Sequence, residues 1–146
     1  MVKVGISLGD PSGISPEILI KSLNKLPKNN AYIIYGGKKV LDKTAKNLGL
    51  SANFTLINSP EEVKKSGYYL INLFDEDFQA GSPSVLSGKA SVIFLESAVK
   101  DILDKKTDAL ITLPISKRWI MEAGFKYAGH TDYLAEVSQA KEYVMV

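Results

Sequence analysis

The only histidine in this 146-residue chain, His130, stands in the tetrapeptide Gly129-His130-Thr131-Asp132. An imidazole can donate a hydrogen bond to a substrate oxygen, ligate a metal or transfer a proton near neutral pH. A catalytic metal centre takes about three protein ligands, so a single histidine does not form one alone. Thr131 can cap the helix that follows and still offer its hydroxyl to a ligand. The alternative is that His130 is a hydrogen-bonded structural residue.

A second polar turn lies near the N-terminus, in Gly9-Asp10-Pro11-Ser12-Gly13. Its glycines allow a tight turn after a strand, and we predict a helix that starts at Pro16 with Ser15 as its N-cap. The free N–H groups of that helix could hold an anion near Asp10 and Gly13. A carboxylate repels phosphate, however, so the competing interpretation is an ordinary turn between a strand and a helix.

A third polar turn, Pro114-Ile115-Ser116-Lys117, follows another strand-like segment. Pro114 ends the strand, and Ser116 can cap the helix that follows. Lys117 then lies near the N-terminus of that helix, where a cation is mildly unfavourable. A lysine in this place is a compact donor for the phosphate or carboxylate of a ligand. The alternative is a solvated surface lysine beside Arg118.

These turns belong to a chain in which strand and helix patterns alternate. The alternation predicts a three-layer α/β/α fold with a largely parallel sheet and helices on its faces. Ligands in such folds bind at the carboxyl ends of the strands, which is where the polar turns occur. The patterns predict strands over 2–8, 31–35, 53–57, 68–73 and 108–113, and helices over 16–26, 38–48, 60–65, 88–105, 117–123 and 131–140.

The composition narrows the possible partners and compartments. The chain is 45% apolar and 23% charged with a net charge of +2, as in a globular domain, and it has no basic stripe that would bind nucleic acid. It has no cysteine, which excludes disulfides and thiolate chemistry. It has no signal sequence and no apolar run near the roughly 20 residues of a membrane helix. We therefore expect a cytoplasmic protein without a membrane partner.

The apolar segment at residues 143–146 is typical of the first part of a buried strand. A buried strand needs partners for its backbone groups and side chains. We therefore expect residues 1–146 to be the N-terminal α/β portion of a longer protein, with a C-terminal half outside this chain.

Four motifs, taken together and in order, resemble the 4-hydroxythreonine-4-phosphate dehydrogenase family of pyridoxal phosphate biosynthesis. The family's motifs correspond to Gly9-Asp10-Pro11-Ser12-Gly13-Ile14-Ser15-Pro16-Glu17-Ile18, to Ser87-Gly88, to Ala109-Leu110-Ile111-Thr112-Leu113-Pro114-Ile115-Ser116-Lys117, and to Ala123-Gly124 with Gly129-His130-Thr131-Asp132. Ser15 replaces a glycine of the family pattern, and Asp132 replaces a glutamate. Each motif is weak alone, but the four in register extend the resemblance over essentially the whole chain.

The resemblance implies an NAD-dependent dehydrogenase that needs a divalent metal such as Zn, Mg or Co. It implies the N-terminal part of a two-subdomain fold like that of isocitrate and isopropylmalate dehydrogenases, in a homodimer whose active sites use both subunits. By the same resemblance, His130 and Thr131 contact substrate, and the metal-binding histidines lie downstream of Val146. Asp10, Gly13 and Lys117 remain possible substrate or anion contacts, and no catalytic base is identified. We expect this chain alone to be inactive.

The reaction implied is oxidation of 4-phosphohydroxy-L-threonine by NAD, followed by decarboxylation of the 3-oxo acid. A close alternative is a dehydrogenase of a related four-carbon acid-sugar phosphate, erythronate or threonate 4-phosphate. An alternative from a different class is a non-catalytic α/β module that binds an anion at the first turn.

Overall fold

The computed structural model describes residues 1–144, which form a parallel sheet of five strands with helices on both faces. The strand order is β3-β4-β2-β1-β5, and every neighbouring pair is parallel. The predicted three-layer α/β/α fold is thereby confirmed. The strands are β1 (Lys3–Ser7), β2 (Ala31–Gly36), β3 (Thr55–Leu56), β4 (Gly67–Asn72) and β5 (Ala109–Thr112).

The helices lie where the sequence pattern predicts them, with ends that differ by a few residues. The one predicted over 38–48 has the expected bounds, and Gly49 ends it in the left-handed conformation at φ +64°. The short helix expected over 60–65 is a 3₁₀ turn at Pro60–Glu62. The α helices are α1 (Ser15–Ser22), α2 (Lys38–Leu48), α3 (Val85–Leu103), α4 (Lys117–Glu122) and α5 (His130–Ser138).

The chain adds strands first on one side of β1 and then on the other. The connections through α1 and α2 lead from β1 towards β2 and β4, whereas α3 carries the chain back to β5 on the other side of β1. Right-handed crossovers therefore put α3 on the face opposite α1 and α2. The turns after β1 and β5 lie next to each other at the point of reversal, where open α/β sheets form a ligand crevice.

Three predicted helix caps are not formed. The N-cap of α1 is Ile14 rather than Ser15, and the N-cap of α5 is Gly129, which leaves Thr131 inside the first turn. Ser116 does occupy the N-cap position of α4, but its side chain makes no capping hydrogen bond. In addition, α3 begins at Val85 rather than at Gly88, because Ser84 and Ser87 form a capping box before the predicted start.

The strand expected over 143–146 is not formed in the part that can be described. Tyr143 and Val144 lie in no strand and are exposed, and Met145 and Val146 lie outside the described residues. Among residues 1–144, no helix is both long enough and apolar enough to cross a membrane.

The longest helix, α3, carries a contact that fixes the position of α4. A Cβ atom added to Gly88 would lie 2.3 Å from the carbonyl oxygen of Trp119. The backbones of α3 and α4 therefore approach so closely that no side chain fits between them. This contact holds α4, and with it Lys117, against α3.

Gly88→Ala should destabilise the protein, although alanine is the better helix former. Relief of a 2.3 Å overlap with a backbone carbonyl requires α4 to move, and overpacking of this kind costs about 1–3 kcal/mol. The free energy of unfolding, measured with urea and followed by circular dichroism, should fall by that amount.

Gly13→Ala is the matched control, since an added Cβ there lies at an ordinary 3.5 Å from the Asp10 carbonyl oxygen. It should be neutral or stabilising by less than about 1 kcal/mol. If Gly88→Ala were as stable as the parent, helix propensity would outweigh the contact and this explanation of Gly88 would be wrong.

Candidate functional site

The site is built around one backbone carbonyl, that of Pro114 in the turn after β5. It accepts a hydrogen bond from the Asp10 backbone N–H at 3.0 Å and another from the Ser15 hydroxyl at 2.8 Å. The side chain of Ser15, predicted to cap α1, instead joins the first turn to the turn after β5. The two loops therefore form one unit.

Gly9 makes this close approach possible. It has φ +72°, and a Cβ atom added to it would lie 2.3 Å from the Pro114 oxygen and 2.7 Å from the Leu113 oxygen. Glycine is the residue that adopts this conformation readily, and only glycine leaves room for the neighbouring loop. The first glycine of the turn is thus required by packing between loops.

Asp10 is held rigidly at the centre of the unit. The side chain is 3% exposed, and its Oδ1 atom accepts a hydrogen bond from the Ser12 backbone N–H at 2.8 Å. The Asp10 carbonyl accepts a further bond from the N–H of Gly13 at 3.1 Å. This local turn orients the carboxylate before any ligand binds.

A cavity of about 470 Å³ opens between the two loops, a size suited to a small metabolite. A third segment, between β4 and α3, closes one side, where the Gly81 N–H donates to the Ser12 carbonyl at 2.8 Å. The cavity brings Asp10 and Gly13 together with the turn that precedes Lys117. It is lined by Asp10, Ser12, Gly13, Ile14, Glu17, Gly81, Pro83, Pro114, Ile115 and Ser116.

Lys117 connects this cavity to the second predicted cluster. It is the first residue of α4 and is exposed, and its Cε atom lies 3.6 Å from the position of a Cβ atom on Gly129. The lysine side chain therefore lies beside the residue that precedes His130. The turn that contains Lys117 and the turn that contains His130 meet here. Ser116, which precedes Lys117, also lines the cavity beside the first turn.

His130 is the first residue of α5 and is largely enclosed. Its Nε2 atom is fully buried without a hydrogen-bond partner among the described residues. Burial lowers the pKa of this imidazole below its ordinary value, so the ring is neutral at pH 7. A neutral ring has one donor and one acceptor nitrogen, and a buried nitrogen without a partner is a candidate for a ligand contact.

An aromatic cluster fixes the start of α5. Phe125, Tyr127 and Tyr133 contact one another with ring centroids 5.1–5.3 Å apart, and Tyr133 packs against Leu95 and Val99 of α3. Burial, with help from nearby Glu96 and Tyr127, raises the pKa of Tyr133. His130 is therefore presented from a helix anchored in the second hydrophobic cluster.

Sequence reasoning missed Ser12 and Gly81. Ser12 is 1% exposed, and its hydroxyl has no hydrogen-bond partner in the described part of the chain. Gly81 lies in the irregular stretch before α3, where Gly81 and Pro83 indicate only a turn. Nothing in the local sequence shows that Gly81 reaches Ser12 in the first turn, because that contact spans about seventy positions.

The residues described here do not fit a resident metal. Within residues 1–144, no group of three His, Cys, Asp or Glu side chains could hold an ion. The acidic stretch after β4 is bound to lysines instead, since Asp75 accepts from the Lys39 N–H at 2.8 Å and Asp77 pairs with Lys43 at 2.9 Å.

Curated relatives match the chain along nearly its whole length. A 4-hydroxythreonine-4-phosphate dehydrogenase of Sulfurihydrogenibium sp. (strain YO3AOP1) is 66% identical over 147 residues, and that of Aquifex aeolicus is 41% identical over 144 residues. A D-threonate 4-phosphate dehydrogenase of Cupriavidus necator is 29% identical over 149 residues. The three matches cover 100%, 99% and 98% of this chain, but only 46%, 45% and 45% of those proteins, so the chain spans about half their length.

Solved structures agree with the fold and with this coverage. A 4-hydroxythreonine-4-phosphate dehydrogenase from Burkholderia phymatum superposes with a TM-score of 0.82 at 26% identity, and one from Klebsiella pneumoniae with 0.81 at 27%. These matches cover 97% and 95% of this chain, and 45% of each solved chain.

The family model described as pyridoxal phosphate biosynthetic protein PdxA matches residues 28–146. Because that match takes in most of the chain, and the relatives above cover nearly all of it, this chain belongs to the PdxA family.

Proposed function

We propose that the complete protein is an NAD-dependent dehydrogenase that oxidises 4-phosphohydroxy-L-threonine, with loss of carbon dioxide from the product. The observation that carries the proposal is the meeting of Lys117 with the Gly129-His130 turn beside a preformed cavity. The cation lies beside Gly129, which precedes His130 at the N-terminus of α5, and the buried Nε2 atom of His130 has no hydrogen-bond partner among residues 1–144. Such a set suits a small anionic substrate.

The substrate has two anionic ends, a carboxylate and a phosphate. Lys117 offers a charged donor for one of them, and His130 offers a neutral ring nitrogen to a substrate oxygen. Thr131, in the first turn of α5, is proposed to contribute its hydroxyl to the same contact. The names of the relatives support either 4-phosphohydroxy-L-threonine or D-threonate 4-phosphate, and the higher identities favour the first.

The cofactor and metal are proposed to bind outside this chain. The described residues contain no group of three metal ligands, and the sequence has no glycine-rich dinucleotide motif of the Gly-x-Gly-x-x-Gly type. We propose that residues beyond Val146 hold a divalent metal and NAD, and that residues 1–146 are the N-terminal portion of a two-subdomain enzyme. We further propose a homodimer in the cytoplasm, with active sites that use both subunits.

The direct test is turnover by the complete protein. It should reduce NAD when supplied with divalent metal and 4-phosphohydroxy-L-threonine, and more slowly with D-threonate 4-phosphate or the erythronate analogue. Faster NAD reduction with D-threonate 4-phosphate or the erythronate analogue would identify the related acid-sugar phosphate dehydrogenase. Anion binding without any hydride transfer would favour a non-catalytic α/β module.

His130→Ala in the complete protein should lower kcat/KM by about ten- to two-hundred-fold, because a hydrogen bond to a charged group is worth about 1.5–3 kcal/mol. Metal content, measured by atomic absorption, should stay at the wild-type level. A variant that loses metal, or that melts at a lower temperature without a kinetic defect in its folded fraction, would contradict a substrate contact.

Lys117→Ala should raise KM for the phosphorylated substrate by about tenfold or more, because it removes a charged donor from the anion site. Arg118→Ala is the matched control, since Arg118 carries the same charge one residue away but bonds to Glu122 at 3.1 Å and stacks on Trp119. Steady-state kinetics of both variants distinguish the alternatives. Equal effects would mean that Lys117 contributes only general surface charge.

The 146-residue chain alone should not reduce NAD, even with substrate and divalent metal supplied. It offers no three-residue metal site among its described residues, and it covers 45–46% of the length of its dehydrogenase relatives. The assay is absorbance at 340 nm with the purified chain. Measurable turnover would disprove the proposed division of the active site.

A further inference from the structure

The cavity between the first turn and the turn after β5 is lined by acidic side chains and by no basic ones. No lysine, arginine or histidine is among its lining residues, which include two carboxylates, Asp10 and Glu17. Glu17 is half-exposed and pairs with Lys21 at 2.5 Å. Asp10 is 3% exposed and forms no ion pair with any described residue. The cavity therefore presents one buried carboxylate without a counterion.

Only one of the two oxygens of this carboxylate is accounted for. Oδ1 accepts from the Ser12 N–H, whereas Oδ2 accepts no hydrogen bond from residues 1–144. Oδ2 is not one of the fully enclosed polar atoms without a partner, so it is not fully enclosed. It must then keep an open side, and the open space beside Asp10 is the cavity.

A second, independent group points to the same place. Ser12 also lines the cavity, and its hydroxyl is fully enclosed without a hydrogen-bond partner among residues 1–144. An unsatisfied buried hydroxyl costs about 1–3 kcal/mol, so it calls for a ligand or a bound water. Ser12 thus adds to the same cavity a hydroxyl that can either donate or accept a hydrogen bond.

A purely structural role explains part of this arrangement. The Ser12 N–H stabilises a negative charge at Asp10. That role needs only Oδ1 and leaves the open Oδ2 and the Ser12 hydroxyl unexplained. A cationic group that donates hydrogen bonds satisfies both, and an anion would be repelled.

We propose that Asp10, assisted by Ser12, binds the α-ammonium group of the substrate and so favours an amino-acid phosphate over the corresponding hydroxy-acid phosphate. This inference rests on the proposed function, since it concerns one group of that substrate. The ammonium is the substrate's only cation, and one of its two anionic groups is assigned to Lys117. Asp10 is therefore a specificity-determining residue that contacts substrate without taking part in hydride transfer.

Asp10→Asn in the complete protein tests the proposal, because the amide oxygen can still accept from the Ser12 N–H and preserve the turn. Binding is measured by calorimetry for 4-phosphohydroxy-L-threonine and, separately, for D-threonate 4-phosphate, which has a hydroxyl in place of the ammonium. Affinity for the first should fall by about ten- to a hundredfold, and affinity for the second by less than about threefold. Ser12→Ala should weaken binding of the first ligand by about two- to tenfold.

Asp104→Asn is the control, since it removes a carboxylate that pairs with Lys100 at 3.4 Å and lies outside the cavity. It should leave both affinities unchanged. Equal losses for the two ligands in Asp10→Asn, no loss for either, or failure of the wild-type protein to bind the ammonium ligand would each overturn the proposal. Melting temperatures of all variants identify loss of fold.

The same samples, assayed with NAD and divalent metal, test the proposed function separately. Selective loss of the ammonium ligand in Asp10→Asn without any turnover by the wild type would support the Asp10 contact and refute the dehydrogenase. Turnover by the wild type, with equal losses of affinity for both ligands in Asp10→Asn, would support the dehydrogenase and refute the Asp10 contact.

Discussion

The site depends on a single acceptor, the carbonyl of Pro114. It receives the Asp10 N–H and the Ser15 hydroxyl, and Gly9 presses against it with no room for a side chain. These contacts cross the point where the strand order reverses, so they fix the loop after β1 to the loop after β5. They extend the pairing of β1 with β5 into the loops that follow the two strands.

The rigid frame separates charge along the crevice. The Asp10 end is acidic and enclosed, whereas the Lys117 end is cationic, exposed and next to the start of α5. Parallel strands make this possible because consecutive loops of different composition emerge at the same edge of the sheet. A ligand with charges of both signs therefore meets a complementary field in one orientation and an opposing field in the other.

Much of the fold followed from the sequence because its signals are local. The helix at Lys38–Leu48 and its glycine end are set by residues within a few turns of one another, and the alternation of elements predicts the parallel sheet. Ser15 shows where local reasoning stops: a serine before Pro16 suits a cap, but its hydroxyl bonds to a carbonyl 99 residues away. Ser12 and Gly88 belong to the same class, because only the tertiary structure brings the Gly81 N–H to the Ser12 carbonyl and the Trp119 carbonyl to Gly88. The polar turns were expected at the carboxyl ends of the strands, but only the fold puts the Lys117 side chain beside Gly129.

The tight contact between Gly88 and Trp119 has a consequence for the range of ligands. It fixes the backbone of α4 to α3, so the Lys117 end can adapt only through rotation of the four-carbon lysine side chain. The Asp10 end has no such freedom, because that carboxylate is short, buried and held by its own turn. A ligand that touches both ends can therefore vary in length on the lysine side by about the reach of one side chain. At the aspartate end, even a shift of a single carbon atom would break the match.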